Sequence, residues 1–267
     1  MLDLSKDSFL TNEQIKKIAP SVFTATAASS VSQHYTHIPT SVIVDDMRQL
    51  GWQVVDAKEV KARKGVGFQK HLIVFRNPEV VINGSDGDDV FPQILLTNSH
   101  DGKNAFTFTA GLFRMVCENG LVISTEQFED VKMRHLGYTF EELQVKIREM
   151  VERLPLTVES MNKMKSIQLD EKQAVEFALK ALATRFNEDE MKRITVDAKE
   201  LLKPVRKEDE GSDLWSVFNV VQEKILDGDF NYVAGNKSRK ARKIKNFNQD
   251  LKVNKELFAM AAEFIAA

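Results

Sequence analysis

Apolar residues recur along this chain with two different periods, and the change between them organises it. Over residues 40–50, Val42, Ile43, Met47 and Leu50 fall at helical spacing, with Ser41, Asp45 and Asp46 near the start and Gly51 after the end, which predicts an amphipathic helix. Residues 11–18 predict a shorter helix, opened by a capping Thr11 and stopped by Pro20. Between the two, residues 21–33 are rich in Ser, Ala and Thr and read as a loop or arm. From Trp52 the period shortens: residues 52–57 and 69–76 predict strands. Two further strands, 94–96 and 105–109, flank His100-Asp101-Gly102, where Asp-Gly is a strong signal for a tight hairpin turn. The apolar run 111–117 then ends at Glu118-Asn119-Gly120, a second turn before Leu121-Val122-Ile123. So much apolar sequence with so little polar relief predicts the middle of a buried sheet.

Beyond this meander the helical period returns. Residues 139–154 place Phe140, Leu143, Ile147, Met150, Val151 and Leu154 on one stripe, with Pro155 expected to break the helix and 158–164 to continue as another. Residues 170–186 predict a helix capped by Asp170, 187–202 one more, and 203–212 an exposed loop. Residues 213–226 carry Leu214, Val217, Phe218, Val221 and Ile225 at core spacing before Gly228, and 232–240 read as a flexible basic connector. The chain ends in an apolar-faced helix over 248–267, with Leu257, Met260, Ala261 and Phe264 expected inside. The fold class is therefore α+β: an N-terminal helix packed on a curved, mainly antiparallel β-meander, followed by a helical C-terminal half. The expected division is 1–135 for the sheet domain and 136–267 for the helical region, packed together as one unit.

Composition narrows the function classes. With 267 residues the chain can bury a sizeable core, and a net charge of -2 argues against a uniformly basic nucleic-acid coat while leaving local patches open. Cys117 is the single cysteine, so an intramolecular disulfide and a cysteine-based zinc cluster are both excluded. No positively charged start with an apolar core precedes residue 10, and no apolar run is long enough to span a bilayer. A cytoplasmic protein with no membrane partner is expected.

The most unusual charge feature is the stretch 237–245, where Lys237, Arg239, Lys240, Arg242, Lys243 and Lys245 are six cations in nine positions with no acid among them. A solvated face is the bland reading, and a polyanion-binding segment the sharper one. Lys61, Arg63, Lys64, Lys70 and Arg76 are further cations, placed between and on the predicted strands. The strand phenylalanines Phe75, Phe106, Phe108 and Phe113 read as core, whereas Phe68, between Gly67 and Lys70, is the ring expected to be exposed for base stacking. His34, His37, His71, His100 and His135 include no helical i, i+4 metal pair. A catalytic cluster of His71, His100 and Asp101 is one arrangement; turn chemistry and a hydrogen-bonded sheet histidine is the other, and is preferred. The acidic tip 83–89 reads as a solvated turn, and Gly65-Val66-Gly67 lacks the helix of a dinucleotide site. No catalytic residue, metal or cofactor is expected.

Five segments occur in an order that is similar to a known family. They are Tyr35-Thr36-His37-Ile38-Pro39-Thr40; Gln69 to Arg76; Asn98-Ser99-His100-Asp101-Gly102; Arg114 to Leu121; and Leu214-Trp215-Ser216-Val217-Phe218-Asn219. The pattern resembles the phage/plasmid-like family catalogued as domain of unknown function 932, from about Phe23 to the C-terminus. The resemblance implies a phage or other mobile element in the cytoplasm of a bacterial host cell as the setting, and leaves the chemistry to the residues. A helix against a β-meander beside cations is also similar in outline to phage single-strand annealing proteins, which assemble into rings or filaments.

The function expected from the sequence is that of a non-enzymatic nucleic-acid-binding protein preferring single-stranded DNA, acting in annealing or recombination, with a homo-oligomer as the associated state. Its binding residues would be Lys61, Arg63, Lys64, Phe68, Lys70, Arg76, Lys237, Arg239, Lys240, Arg242, Lys243 and Lys245. Two alternatives stand beside it: an anti-defence protein binding a host protein or a nucleotide signal, and a metal-dependent nuclease in which His71, His100 and Asp101 meet Glu118 or another acid.

Overall fold

The computed structural model describes residues 9–31, 35–61, 66–80, 90–114, 119–122 and 130–266. The chain divides into two compact units, Met1–Leu154 and Pro155–Ala267.

The first unit opens with α1 (Asn12–Ile18). Its start is a reciprocal capping box: the Thr11 hydroxyl accepts from the Gln14 N–H at 3.3 Å and the Gln14 side chain accepts from the Thr11 N–H at 2.8 Å. A 3-10 turn at Pro20–Phe23 leads toward α2 (Thr40–Gln49), whose buried side is Thr40, Ile43, Val44 and Met47. The sheet follows as β1 (Gln53–Glu59), β2 (His71–Arg76), β3 (Val90–Asn98), β4 (Phe106–Arg114), β5 (Asn119–Val122) and β6 (Val131–Met133). Strands β1 to β5 pair antiparallel in sequence order, and β6 pairs with the start of β4. The α+β meander read from the sequence is therefore the observed fold. Every residue of β2 is buried, which explains its unbroken apolar run.

The connection between β3 and β4 is longer than the tight turn expected from Asp-Gly. It spans residues 99–105 because Ser99 and His100 turn inward and are buried. The His100 backbone is held on both sides, its N–H donating to the Phe68 carbonyl at 3.3 Å and its carbonyl accepting from Ala28 at 3.0 Å. Gly102 has φ +77°, and a Cβ there would meet Val31 at 2.9 Å, so the glycine is required on both counts.

Helix α3 (Phe140–Ser166) begins in the first unit and ends in the second. The expected break at Pro155 does not occur; the helix runs through it. The apolar stripe continues past the proline with buried Met161 and Met164, and that burial offsets one lost backbone hydrogen bond.

The second unit contains α4 (Glu171–Arg185), α5 (Glu188–Met191), β7 (Ile194–Val196), α6 (Ala198–Leu201), α7 (Leu214–Asp227), β8 (Asn231–Ala234), β9 (Lys237–Lys240) and α8 (Phe247–Ala266). Asp170 and Asp213 cap α4 and α7 as their positions suggest, each accepting a backbone N–H three residues on. In α8, Leu257 and Ala261 are buried, while Met260 and Phe264 are half-buried. Two expectations are corrected here. Residues 187–202 form two single-turn helices around the β-branched strand β7, each opened by its own cap, Asn187 and Asp197. Residues 232–240 are not a flexible connector: β8 and β9 form a hairpin, and the order β7-β8-β9 makes β9 an edge.

Gly228 ends α7 at φ +72°, and a Cβ there would lie 2.5 Å from the Arg242 backbone. Nearby, the Arg185 guanidinium donates to the carbonyls of Ile225 and Arg242 and lies 5.6 Å from the Phe230 ring centre. The hairpin is thus fastened to the end of α7 at its base. Gly228→Ala meets both a left-handed backbone and a backbone clash, and is expected to destabilise the second unit by about 2 kcal/mol or more. Urea unfolding followed by Trp215 fluorescence measures it; an unchanged midpoint would contradict this account of the base.

Candidate functional site

Beneath β2 and β3, where they face α2, the first unit holds a buried polar network. His71 and Asn98 sit directly opposite one another in the β2–β3 register. Thr40, at the start of α2, places its hydroxyl 2.8 Å from His71 Nε2, 2.9 Å from Asn98 Nδ2 and 3.4 Å from His100 Nε2. His71 Nδ1 lies 2.8 Å from the Ser21 hydroxyl, and the Ser21 N–H donates to Glu59 at 2.8 Å. On the other side, Asn98 Oδ1 is 3.0 Å from His135 Nε2, and His135 Nδ1 is 3.0 Å from the Tyr35 hydroxyl. The His135 ring stacks on Phe106 with centroids 4.1 Å apart.

The hydrogen-bond inventory assigns the shared protons of this network and leaves His100 Nδ1, which is buried, without a partner among the described residues. An Asn oxygen only accepts, so His135 carries its proton on Nε2 and accepts the Tyr35 O–H at Nδ1. The Asn98 amide donates to Thr40; the Thr40 O–H, its one donor, then goes to His71 Nε2, and His71 Nδ1–H turns to Ser21 and the Gln69 carbonyl, 3.1 Å away. His100 donates its Nε2–H to the remaining lone pair of Thr40. All three rings are neutral in this pattern. Adding a proton to any of them would require a buried cation. Burial accordingly lowers His71 and His135 to about 4 and, with His71, His37 and His135 nearby, His100 to about 3.

Of the cluster considered for catalysis, His71 and His100 do converge, with ring centres 5.4 Å apart. Asp101 does not join them. Its carboxylate accepts from Ser99 at 2.6 Å and from the Lys103 N–H at 3.1 Å, which is the turn chemistry preferred from the sequence. Rings that titrate at 3 to 4 are poorly matched to general acid–base work near neutrality. Among the described residues, no group of three His, Cys, Asp or Glu side chains is placed to hold a metal. Glu118, Cys117 and His34 lie outside the described residues, as does the acidic tip 83–89.

The cations proposed from the sequence fall in both units. In the first, Lys61 is exposed just after β1, Phe68 and Lys70 are half-buried, and Arg63 and Lys64 lie outside the described residues. Arg76 is only 7% exposed and packs 5.4 Å from the Phe91 ring centre, so its guanidinium is part of the sheet packing. In the second unit all six cations of 237–245 are exposed. Lys240 pairs with Asp229 at 3.1 Å and Lys243 with Asp227 at 2.7 Å. Lys237, Arg239, Arg242 and Lys245 have no carboxylate partner among the described residues. Tyr232, opposite Arg239 in the hairpin, is half-buried against Phe186 at 5.4 Å, and Phe247 is buried.

The structure thus joins a β-meander unit with a buried, neutral histidine network to a helical unit bearing an exposed basic hairpin. The chain belongs to the family described as Domain of unknown function (DUF932), whose pattern matches residues 27–258. UPF0380 protein YafZ and UPF0380 protein YfjQ of Escherichia coli strain K12 are each 31% identical to it over 262 residues, covering 97% of this chain and 92% of theirs. No solved structure matches. Three of the segments that carry the family resemblance, around Tyr35 to Thr40, His71 and Asn98 to His100, meet at the histidine network. No helix among the described residues is long and apolar enough to cross a membrane.

Proposed function

We propose that the protein is a non-enzymatic nucleic-acid-binding protein of a phage or other mobile element, preferring single-stranded DNA and acting in annealing or recombination. One observation carries this reading: the cations of 237–245 are all exposed, lie on and just beyond an edge strand with no acid among them, and include four without a carboxylate partner among the described residues. Such a row tracks a phosphate backbone by charge, with little reading of base identity. Tyr232 is the ring that the hairpin offers beside Arg239. Arg76, buried in the sheet, has no part in this surface. The mobile-element setting rests on the family resemblance, and the annealing role on the order of elements.

Binding to labelled single- and double-stranded DNA, followed by anisotropy across a salt series, tests the reading. Four to six phosphate contacts give a slope of log affinity against log salt of about -3 to -5. Replacing Lys237, Arg239, Arg242 and Lys245 together by Ala is expected to weaken binding about 100-fold and flatten the slope by about 3. All four side chains are exposed, so the variant is expected to fold. Absence of binding at low salt, or unchanged affinity in the variant, would retire the proposal.

A further inference from the structure

We propose that the open edge of β9 accepts an acidic, extended peptide as a fourth strand of the β7-β8-β9 sheet. In the hairpin, Ala234 lies opposite Lys237 across the two-residue turn of Gly235 and Asn236, and Tyr232 lies opposite Arg239. Ala241 continues the ladder by donating its N–H to the Phe230 carbonyl at 2.9 Å. Antiparallel geometry then points the backbone groups of residues 237, 239 and 241 toward β8 and those of Ser238 and Lys240 away from it. Those outward groups have no backbone partner among the described residues, and every residue of β9 is exposed. Two N–H and two C=O groups therefore stand ready for a further ladder.

Charge selects the occupant. Lys and Arg on an edge strand ordinarily protect it from pairing with its own kind, and two β9 strands side by side would set like charges opposite one another. The same residues favour a strand that carries Asp or Glu at alternate positions. Among the described residues Lys237, Arg239 and Arg242 have no counter-ion to surrender, whereas Lys240 already has Asp229. Strand addition does not depend on the nucleic-acid reading; one consequence rests on it, namely that a seated acidic peptide covers the same cations and displaces DNA.

The probe is a labelled peptide of about eight residues alternating Glu with Val or Thr, long enough to form one strand, added to the full chain. Its counterpart with Lys in place of Glu is the control. The acidic peptide is expected to bind and the basic one not to. Hydrogen exchange at the Ser238 and Lys240 amides is expected to slow on binding, while that of Ala241, already paired, stays as it was. Ser238→Pro removes an outward N–H and keeps every cation, so it is expected to weaken the peptide about tenfold or more while leaving DNA affinity unchanged. Ser238→Ala keeps the N–H and is expected to bind the peptide normally. Should Ser238→Pro disturb the hairpin, seen as faster exchange at Ala241, the wild-type exchange result decides. No peptide binding, or binding without slower exchange at residues 238 and 240, overturns the proposal even if DNA binds. Peptide binding with the expected protection but no DNA binding leaves strand addition standing and retires the nucleic-acid reading.

Discussion

Acidification from about pH 7.5 to about pH 5 is expected to remove most of the stability of the sheet unit, well before carboxylates alone would denature an ordinary domain. A base held neutral in the folded state binds fewer protons there than in the unfolded chain, so acid favours unfolding. Unfolded, each imidazole titrates near 6.5. Folded, His71 and His135 do so only at about 4 and His100 at about 3. Their contribution is therefore fully present above about pH 6.5, declines as pH falls through that value, and stops declining only below the folded values. At pH 5 each ring has lost about 2 kcal/mol, so three rings together lose about 6, against a total stability of roughly 5–15 kcal/mol for a typical domain. Among the described residues, the groups that face these rings give them no compensating charge: Thr40, Asn98, Ser21 and the Tyr35 hydroxyl are neutral. Glu59 is turned to the Ser21 N–H, Asp101 is held in its turn, and His37, edge-on to His100 at 4.7 Å, repels a charge there. Trp52 lies in this unit and Trp215 in the other, so urea unfolding of a Trp215→Phe chain, followed by fluorescence, reports it directly. A stability that stays flat between about pH 7 and pH 5 would refute the neutral network.

Thr40→Val is expected to be the most damaging conservative change in the first unit. Valine keeps the shape and removes one hydroxyl, but that hydroxyl serves three buried groups. Without it, His71 Nε2 loses its donor, and Asn98 Nδ2 and His100 Nε2 lose their acceptor. Leaving a buried polar group unmatched costs about 1–3 kcal/mol, so the variant is expected to lose about 4 kcal/mol or more. Thr40→Ser retains the hydroxyl and is expected to lose about 1 kcal/mol, for a methyl group. The difference between the two, measured by denaturant unfolding at neutral pH, isolates the network; similar losses would mean that packing alone accounts for Thr40.

Much of the first unit was legible because its signals are local. A capping Thr11 with Gln14, helical spacing over Ile43 and Met47, and Asp101-Gly102 between apolar strands each fix a few neighbouring residues. What no local signal contained was the convergence of Ser21, Tyr35, Thr40 and His135, which come from separate segments and meet only once the sheet is built. The β8–β9 hairpin was missed for a different reason. β9 is polar at every position and β8 is nowhere fully buried, so the charge run hid the alternation that announces a strand. The unbroken α3 shows a third limit: a proline predicts a break only where nothing beyond it is worth burying.

The network also separates two moments in the life of the fold. Strands of the meander pair with their neighbours in sequence, so each hairpin closes a short loop and can form early. The bond from Tyr35 to His135 spans 100 residues and that from Ser21 to His71 spans 50, and both need the sheet already in place. Interactions completed after the rate-limiting step slow escape from the native state without hastening its formation. The histidine network then acts as a latch, and Thr40→Val is expected to show its loss chiefly as faster unfolding, with the folding rate almost unmoved.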